Sequence, residues 1–115
     1  MSQTLPLIAL GGAIGSVLRY LMVGAIGAPW GVAAVNVLGS FVIGVLFVLV
    51  PREGGQLFLM TGLLGGFTTF SAFSLDTLKL VEGGQPLMAA VYVLASVVLS
   101  LIAVTLGVAL ARGLT

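Results

Sequence analysis

Charged residues are so sparse in this 115-residue chain that they divide it into long uncharged stretches. The charged positions are Arg19, Arg52, Glu53, Asp76, Lys79, Glu82 and Arg112. The uncharged stretches between them cover 1–18, 20–51, 54–75 and 83–111. A helix that crosses a bilayer needs roughly 20 apolar residues at a rise of about 1.5 Å each. The sequence therefore predicts four transmembrane helices.

The composition supports a lipid environment and excludes several classes of protein. Apolar residues make up 60% of the chain and charged residues only 6%, whereas soluble domains carry about 25% charged residues. So few charges exclude a nucleic-acid-binding surface, which needs clustered Lys and Arg. The chain contains no Cys and no His, which removes thiol chemistry, imidazole bases and the usual zinc ligands.

Glycines and prolines set the predicted helix bounds within one domain that covers 1–115. The four helices are predicted at about 5–23, 30–50, 56–81 and 87–111. Gly27 and Pro29 interrupt the chain between the first two helices, and Gly83 and Gly84 interrupt it before the fourth, because both residue types disfavour a helix interior.

The basic residues are divided evenly between the two sides of the membrane. With four spans both termini lie on one side, so Arg52 and Arg112 lie with the termini and Arg19 and Lys79 lie opposite. This balance leaves almost none of the positive-inside bias that normally fixes orientation. Two interpretations follow: insertion in both orientations with pairing as an antiparallel dimer, or a single orientation set by another feature.

Pairs of small residues predict close helix packing. Gly11 and Gly15 are four residues apart in the first helix, and Gly62 and Gly66 are four apart in the third. Such pairs let backbones approach each other in lipid, where association depends on van der Waals packing and hydrogen bonds. We interpret them as packing surfaces.

The segment 65–74, GGFTTFSAFS, predicts a break in the third helix. Adjacent glycines followed by β-branched threonines lower helix propensity in the middle of a span. Backbone groups freed there need a partner. The carbonyls of Gly65 and Thr68 suit a hard cation, and the amides and hydroxyls after the break suit an anion. The alternative is a continuous helix whose Thr and Ser hydroxyls bond to carbonyls four residues earlier.

Other polar and aromatic residues within the spans are candidates for an ion pathway. Asn36 carries an amide at hydrocarbon depth, which needs a partner in protein, water or substrate. Phe70 and Phe73 share one helix face, and their positive ring edges suit an anion, although core packing is the alternative. Arg19 either extends to the headgroups or lies in a water-filled vestibule. Three hydroxyls recur every four residues on the fourth helix, either as a polar track or as interhelical hydrogen bonds: Tyr92, Ser96 and Ser100.

The order and spacing of these motifs resemble the CrcB/Fluc family of small fluoride channels along almost the whole chain. The matching segments are GGAIG at 11–15 leading to Arg19, VNVLGSF at 35–41 and GGFTTFSAF at 65–73. The family usually has TTFSTF, so Ala72 removes one hydroxyl beside the aromatic pair. Either the loss of this hydroxyl lowers the conductance, or water or Ser71 takes its place.

The resemblance implies a fluoride-selective channel rather than an enzyme, one that allows passive export and protects the cell from fluoride. It implies an all-α, dual-topology antiparallel homodimer in the bacterial inner membrane. It also implies a structural Na⁺ at the dimer interface, held by the backbone carbonyls of Gly65 and Thr68, and places Arg19 in a vestibule. The residues that it places along the fluoride pore are Asn36, Phe70, Ser71, Phe73, Tyr92, Ser96 and Ser100.

A small dual-topology multidrug or cation exporter is the alternative function. Such an exporter needs a carboxylate inside the membrane, whereas Glu53, Asp76 and Glu82 are all predicted near span ends. Asp76, Lys79 and Glu82 are expected to form a solvated end of the third span. A non-transporting assembly subunit explains the glycine pairs but not the hydroxyls of the fourth helix.

Overall fold

The computed structural model describes residues 3–50 and 54–115, which are helical apart from short connections. The helices are α1 (Thr4–Ile26), α2 (Trp30–Leu49), α3 (54–67), α4 (Phe70–Glu82) and α5 (Pro86–Leu114). Four helical stretches are long and apolar enough to cross a membrane, and α3 with α4 forms one of them, Gly54–Glu82. The predicted all-α fold with four spans is confirmed.

The helix ends lie within three residues of the predicted positions. The largest differences are at the ends of α1 and α5. Helix α1 continues through Gly24 to Ile26 because membrane helices tolerate single glycines, and it ends at Gly27, whose φ of 94° favours glycine. Arg52 and Glu53, in the predicted loop after the second span, lie outside the described residues, so the charge balance that includes Arg52 stays a prediction.

Helices α1 and α3 pack backbone to backbone through their glycines. A Cβ atom at Gly62 would lie 3.1 Å from the Gly11 Cα, and one at Gly66 would lie 2.6 Å from the Gly12 carbonyl oxygen. A Cβ atom at Gly15 would overlap the Leu63 carbonyl oxygen. The packing surfaces predicted from the small residues are therefore confirmed.

Helix α2 lies between the α1–α3 pair and α5. It packs closely on α5, where a Cβ atom at Gly107 would overlap the Phe41 carbonyl oxygen. A small buried core joins α2, α4 and α5, and its members are Val32, Ala33, Phe73 and Tyr92. This core sets the positions of two of the predicted pathway residues.

The third span is interrupted near its middle. Helix α3 ends at Phe67, and Thr68 (ψ 158°) and Thr69 (φ −154°, ψ 121°) are extended before α4 begins at Phe70. The predicted break is confirmed, and the alternative of a continuous helix is wrong. The hydroxyl of Thr68 still bonds to the Leu64 carbonyl at 2.9 Å, as a threonine in a helix commonly does.

One feature of the third span was not predicted. Within α3, the segment Leu57–Leu64 is π-helical, between short α-helical turns on either side. This wider stretch lies where α3 packs against α1.

Candidate functional site

Asn36 of α2 bridges across to the break. Its Nδ2 donates to the Thr69 carbonyl oxygen at 2.9 Å, and its Oδ1 accepts from the Thr69 amide at 2.8 Å. These two bonds provide partners for the N–H and C=O groups of Thr69. Because Thr69 is extended, it lacks the partners that a helix would provide. The partner that Asn36 requires at this depth is therefore the interrupted backbone itself.

The side chain of Thr69 caps α4. Its Oγ1 accepts from the Ala72 amide at 3.1 Å, which is the usual role of a threonine preceding the first turn of a helix. The same Oγ1 lies 3.2 Å from the Ser71 hydroxyl oxygen. Thr69 thus begins the second half of the span while Asn36 holds its backbone.

These bonds leave two carbonyl oxygens free at the break. In a continuous helix the Thr69 amide would bond to the Gly65 carbonyl, and the Ala72 amide to the Thr68 carbonyl. Both amides bind elsewhere, to Asn36 and to the Thr69 hydroxyl. Among the described residues, no hydrogen bond ends on the carbonyl oxygen of Gly65 or Thr68. Lipid tails cannot donate to these two unpaired acceptors at membrane depth. The carbonyl oxygens therefore require a partner that is neither this chain nor lipid.

Arg19 also contacts the break, from the α1 side. Its Nε donates to the Gly66 carbonyl oxygen at 3.1 Å, which places a positive charge at the carboxyl end of α3, where cations are favourable. Arg19 lies seven residues before the end of α1, and its hydrogen bond directs the side chain toward α3. It lines an open cavity of about 830 Å³ that Ser16, Thr69 and Ala72 also line.

A second cavity of about 430 Å³ also adjoins the break. It brings together five residues that the sequence predicted for a pathway, and these are Asn36, Phe70, Phe73, Ser96 and Ser100. Gly65, Thr68 and Thr69 line it as well, so the free carbonyls and the cavity occur together. The described residues in its walls include hydroxyl side chains, the Asn36 amide and two aromatic rings, and none of them is charged.

The aromatic residues of the site are in contact with one another. The ring centroids of Phe70 and Phe73 are 5.5 Å apart, and those of Phe73 and Tyr92 are 5.3 Å apart. Phe70 is 77% exposed and projects from the single chain, whereas Phe73 is only 8% exposed. Tyr92 is fully buried behind Phe73 and does not line the cavity.

The hydroxyls of α5 are available as donors. The Tyr92 and Ser96 hydroxyl oxygens are buried and have no hydrogen-bond partner among residues 3–50 and 54–115. Buried hydroxyls normally have one. For Ser96, the alternative of an interhelical hydrogen bond is not formed within the described part of the chain. For Tyr92 that alternative stays open, because its hydroxyl lies beside the Asp76 carboxylate of α4. Ser71 is exposed and lines neither cavity.

Three residues at the site were missed by sequence reasoning. Thr69 caps α4 and bonds to Asn36. The sequence feature that could have identified it is its position just before the FSAFS segment. Ser40 lines the smaller cavity, and its signal was its spacing of four from Asn36.

The third missed residue is Asp76. Lys79 and Glu82 are exposed as expected, but Asp76 is only 8% exposed, and its Oδ2 has no partner in the described chain. The prediction of a solvated end is wrong for Asp76 because α4 packs against α5 and places this carboxylate beside Tyr92.

Comparison with known proteins identifies the family. The family described as CrcB-like protein, Camphor Resistance (CrcB), matches residues 6–108. This chain belongs to the CrcB family. Three similar proteins, each named fluoride-specific ion channel FluC, come from different bacteria. That of Agrobacterium fabrum is 51% identical over 94% of this chain and 95% of its own. That of Paracoccus denitrificans is 49% identical over 99% and 98%, and that of Cereibacter sphaeroides is 50% identical over 98% of each.

Family membership agrees with the architecture. The four spans of this CrcB-family chain make it an integral membrane protein. Its relatives are named as channels and not as enzymes.

Proposed function

We propose that this chain forms a fluoride-selective channel, through which fluoride leaves the cell passively and which thereby protects the cell from fluoride toxicity. The observation that carries the proposal is the interrupted third span beside a cavity lined with uncharged donors. Relatives about half identical over nearly the whole chain are named fluoride-specific ion channels, which supports the choice of ion. Passive flow agrees with a cavity wall in which none of the described residues is charged.

Uncharged donors replace the water shell of fluoride in this proposal. Asn36 Nδ2 has two N–H groups, of which one donates to Thr69, so the other remains for an anion. The hydroxyls of Ser96 and Ser100 face the same cavity. The edges of Phe70 and Phe73 carry partial positive charge and contact an anion without binding it as tightly as a full charge does.

The remaining pathway residues lie around this centre. Tyr92 is assigned to the pathway behind Phe73, whose ring it contacts. Ser71, beside Thr69, is assigned to the pore on the surface that the single chain leaves exposed. Arg19 lines the larger, open cavity, where its charge attracts anions toward the break.

We assign a structural Na⁺ to the free carbonyl oxygens of Gly65 and Thr68. The described residues contain no cluster of His, Cys, Asp or Glu side chains able to hold a metal, and backbone oxygens are ligands that hard cations prefer. The two carbonyls fit this role because their usual amide partners are bound elsewhere. When bound, the cation supplies the positive charge that pairs these oxygens at membrane depth.

We also propose an antiparallel homodimer of dual topology in the bacterial inner membrane. Phe70 lines the cavity yet is 77% exposed in the single chain, so a second chain is needed to enclose the path on that side. The even division of basic residues supports insertion in both orientations.

A flux assay tests the function. Purified protein is reconstituted in liposomes loaded with potassium fluoride, and a potassium ionophore balances the charge while a fluoride electrode records efflux. We expect fluoride efflux without any imposed proton gradient, and none from matched chloride-loaded liposomes followed with a chloride electrode. Protein-free liposomes are the control. Absence of fluoride efflux, equal chloride efflux, or efflux only with a proton gradient would contradict the proposal, and the last result would instead support an exporter.

A further inference from the structure

The aromatic contacts at the break extend beyond the residues assigned to the pathway. The ring of Tyr92 contacts the rings of Phe73 and Trp30, with centroid distances of 5.3 Å and 5.4 Å. Together with Phe70, these rings form an aromatic row of four, Phe70–Phe73–Tyr92–Trp30. The row begins at the break and ends at Trp30, the first residue of α2.

Two rings pack on the ring of Tyr92 and set its position. Tyr92 is fully buried, and its hydroxyl lies beside the Asp76 carboxylate of α4. Phe73 lies tilted at 34° to the Tyr92 ring, and Trp30 lies nearly perpendicular to it at 82°. A perpendicular contact is a preferred geometry for two aromatic rings because it brings a positive edge to a negative face.

Trp30 is the outer cover of this arrangement. It is 41% exposed, whereas Tyr92 behind it is inaccessible. Removal of the indole opens space beside the Tyr92 ring, which then can change its rotamer.

We propose that Trp30 is a positioning residue for fluoride conduction: its indole holds the Tyr92 ring so that the Tyr92 hydroxyl stays in the row that continues from the break. This inference rests on the proposed fluoride channel and deepens it. The competing role for Trp30 is that of an interfacial anchor, which stabilises a span without affecting the ion path.

Flux measurements separate the two roles. Trp30→Leu removes the ring, Trp30→Phe keeps an aromatic face, and Phe47→Leu removes an exposed ring from the same helix outside the aromatic row. We expect Trp30→Leu to lower fluoride efflux per reconstituted protein by up to about tenfold. Trp30→Phe should recover most of the loss, and Phe47→Leu should behave as wild type. Size-exclusion profiles in detergent show whether each variant folds.

Tryptophan fluorescence gives a second measurement. If Trp30 is only an interfacial anchor, its emission should not respond to fluoride. Trp30 is the only tryptophan in the chain, so selectively excited emission reports its surroundings alone. We expect fluoride to change the emission of the unmodified protein, and this change to saturate as the fluoride concentration rises. Chloride should leave the emission unchanged. Tyr92→Phe, which removes the hydroxyl and keeps the ring, should abolish the response.

The outcomes distinguish this inference from the proposed function. Wild-type protein that passes no fluoride would overturn the channel itself. Wild-type flux together with equal flux in Trp30→Leu, or with no rescue by Trp30→Phe, would overturn the positioning role alone. If Trp30→Leu does not fold, the wild-type emission decides: a response to fluoride that depends on Tyr92 supports the role, and emission indifferent to fluoride in a conducting protein contradicts it.

Discussion

The amide of Asn36 holds the interruption of the third span in place. It binds both the N–H and the C=O of Thr69, which lies 33 positions further along the chain. Each net hydrogen bond is modest, but a buried backbone group left without a partner is costly. We therefore regard Asn36 as a residue with two roles, supporting the break and lining the cavity beside it.

Asn36→Leu tests the supporting role. Leucine has the same branching at Cγ and makes neither bond to Thr69, so we expect the protein to lose roughly 1–3 kcal/mol of stability and its thermal transition in detergent to fall. Ser40→Ala is the matched control, since Ser40 lines the same cavity one turn away and makes no side-chain hydrogen bond in the described chain. An unchanged transition for Asn36→Leu would show that the break does not depend on this amide.

Phe70→Ile tests the role of the ring edge. Isoleucine keeps an apolar side chain but lacks the polarised rim that the proposed pathway presents to an anion. We expect fluoride efflux from liposomes to fall sharply, while the size-exclusion profile stays that of wild type because Phe70 is 77% exposed in the single chain. Efflux equal to wild type would mean that this ring serves only in packing.

Single residues also show the limits of prediction from sequence. The need of Asn36 for a partner was predictable from its depth, but the partner was not, because Thr69 is adjacent only in the folded chain. Asp76 was placed at a solvated end because charges cluster there, yet it is 8% exposed. Its burial depends on how α4 rotates against α5, which the spacing of charges does not determine.

The helices themselves were largely predictable, and the details of the third were not. Long uncharged stretches gave four spans, and the Gly and Thr residues at 65–69 gave the break, because both effects are local. The π-helical segment Leu57–Leu64 was not foreseen, since LFLMTGLL has the composition of any membrane helix. The π-helical geometry occurs where α3 packs on α1. A contact between two helices cannot be read from the sequence of one of them.

The α1–α3 contact is tested by a pair of glycine substitutions in one helix. A Cβ atom at Gly15 meets the Leu63 backbone, whereas a Cβ atom at Gly24 meets nothing within 4 Å. We expect Gly15→Ala to destabilise the protein by about 1–3 kcal/mol through overpacking. Gly24→Ala should be neutral or slightly stabilising, because alanine is the better helix former. Equal thermal transitions for the two variants would contradict the close packing described here.

At the scale of the whole molecule, the arrangement of subunits is the least accessible to sequence. Apolar side chains cover the surfaces of α1 and α5, and composition does not separate a surface that faces lipid from one that faces a second chain, because lipid tails are as apolar as leucine. The exposed position of Phe70, a cavity-lining residue, is the structural argument for placing the proposed second chain on that side.

Reporter fusions test the dual topology. A C-terminal reporter active only in the cytoplasm and another active only outside the inner membrane should both give signal, because the basic residues are evenly divided. Adding two lysines after Arg112, on the side of the termini, should shift the signal toward the cytoplasmic reporter. Activity of a single reporter with the unmodified chain would contradict insertion in both orientations.

The selectivity of single channels tests the central claim most directly, namely that uncharged groups at an interrupted helix conduct fluoride. Purified protein in a planar bilayer is recorded with fluoride on one side and chloride on the other, and the reversal potential is measured. We predict discrete currents whose reversal potential is the one expected when fluoride carries the current and chloride does not permeate. A proton gradient should leave this reversal potential unchanged. A reversal potential near zero with equal currents of both ions, or no current at all, would contradict the account.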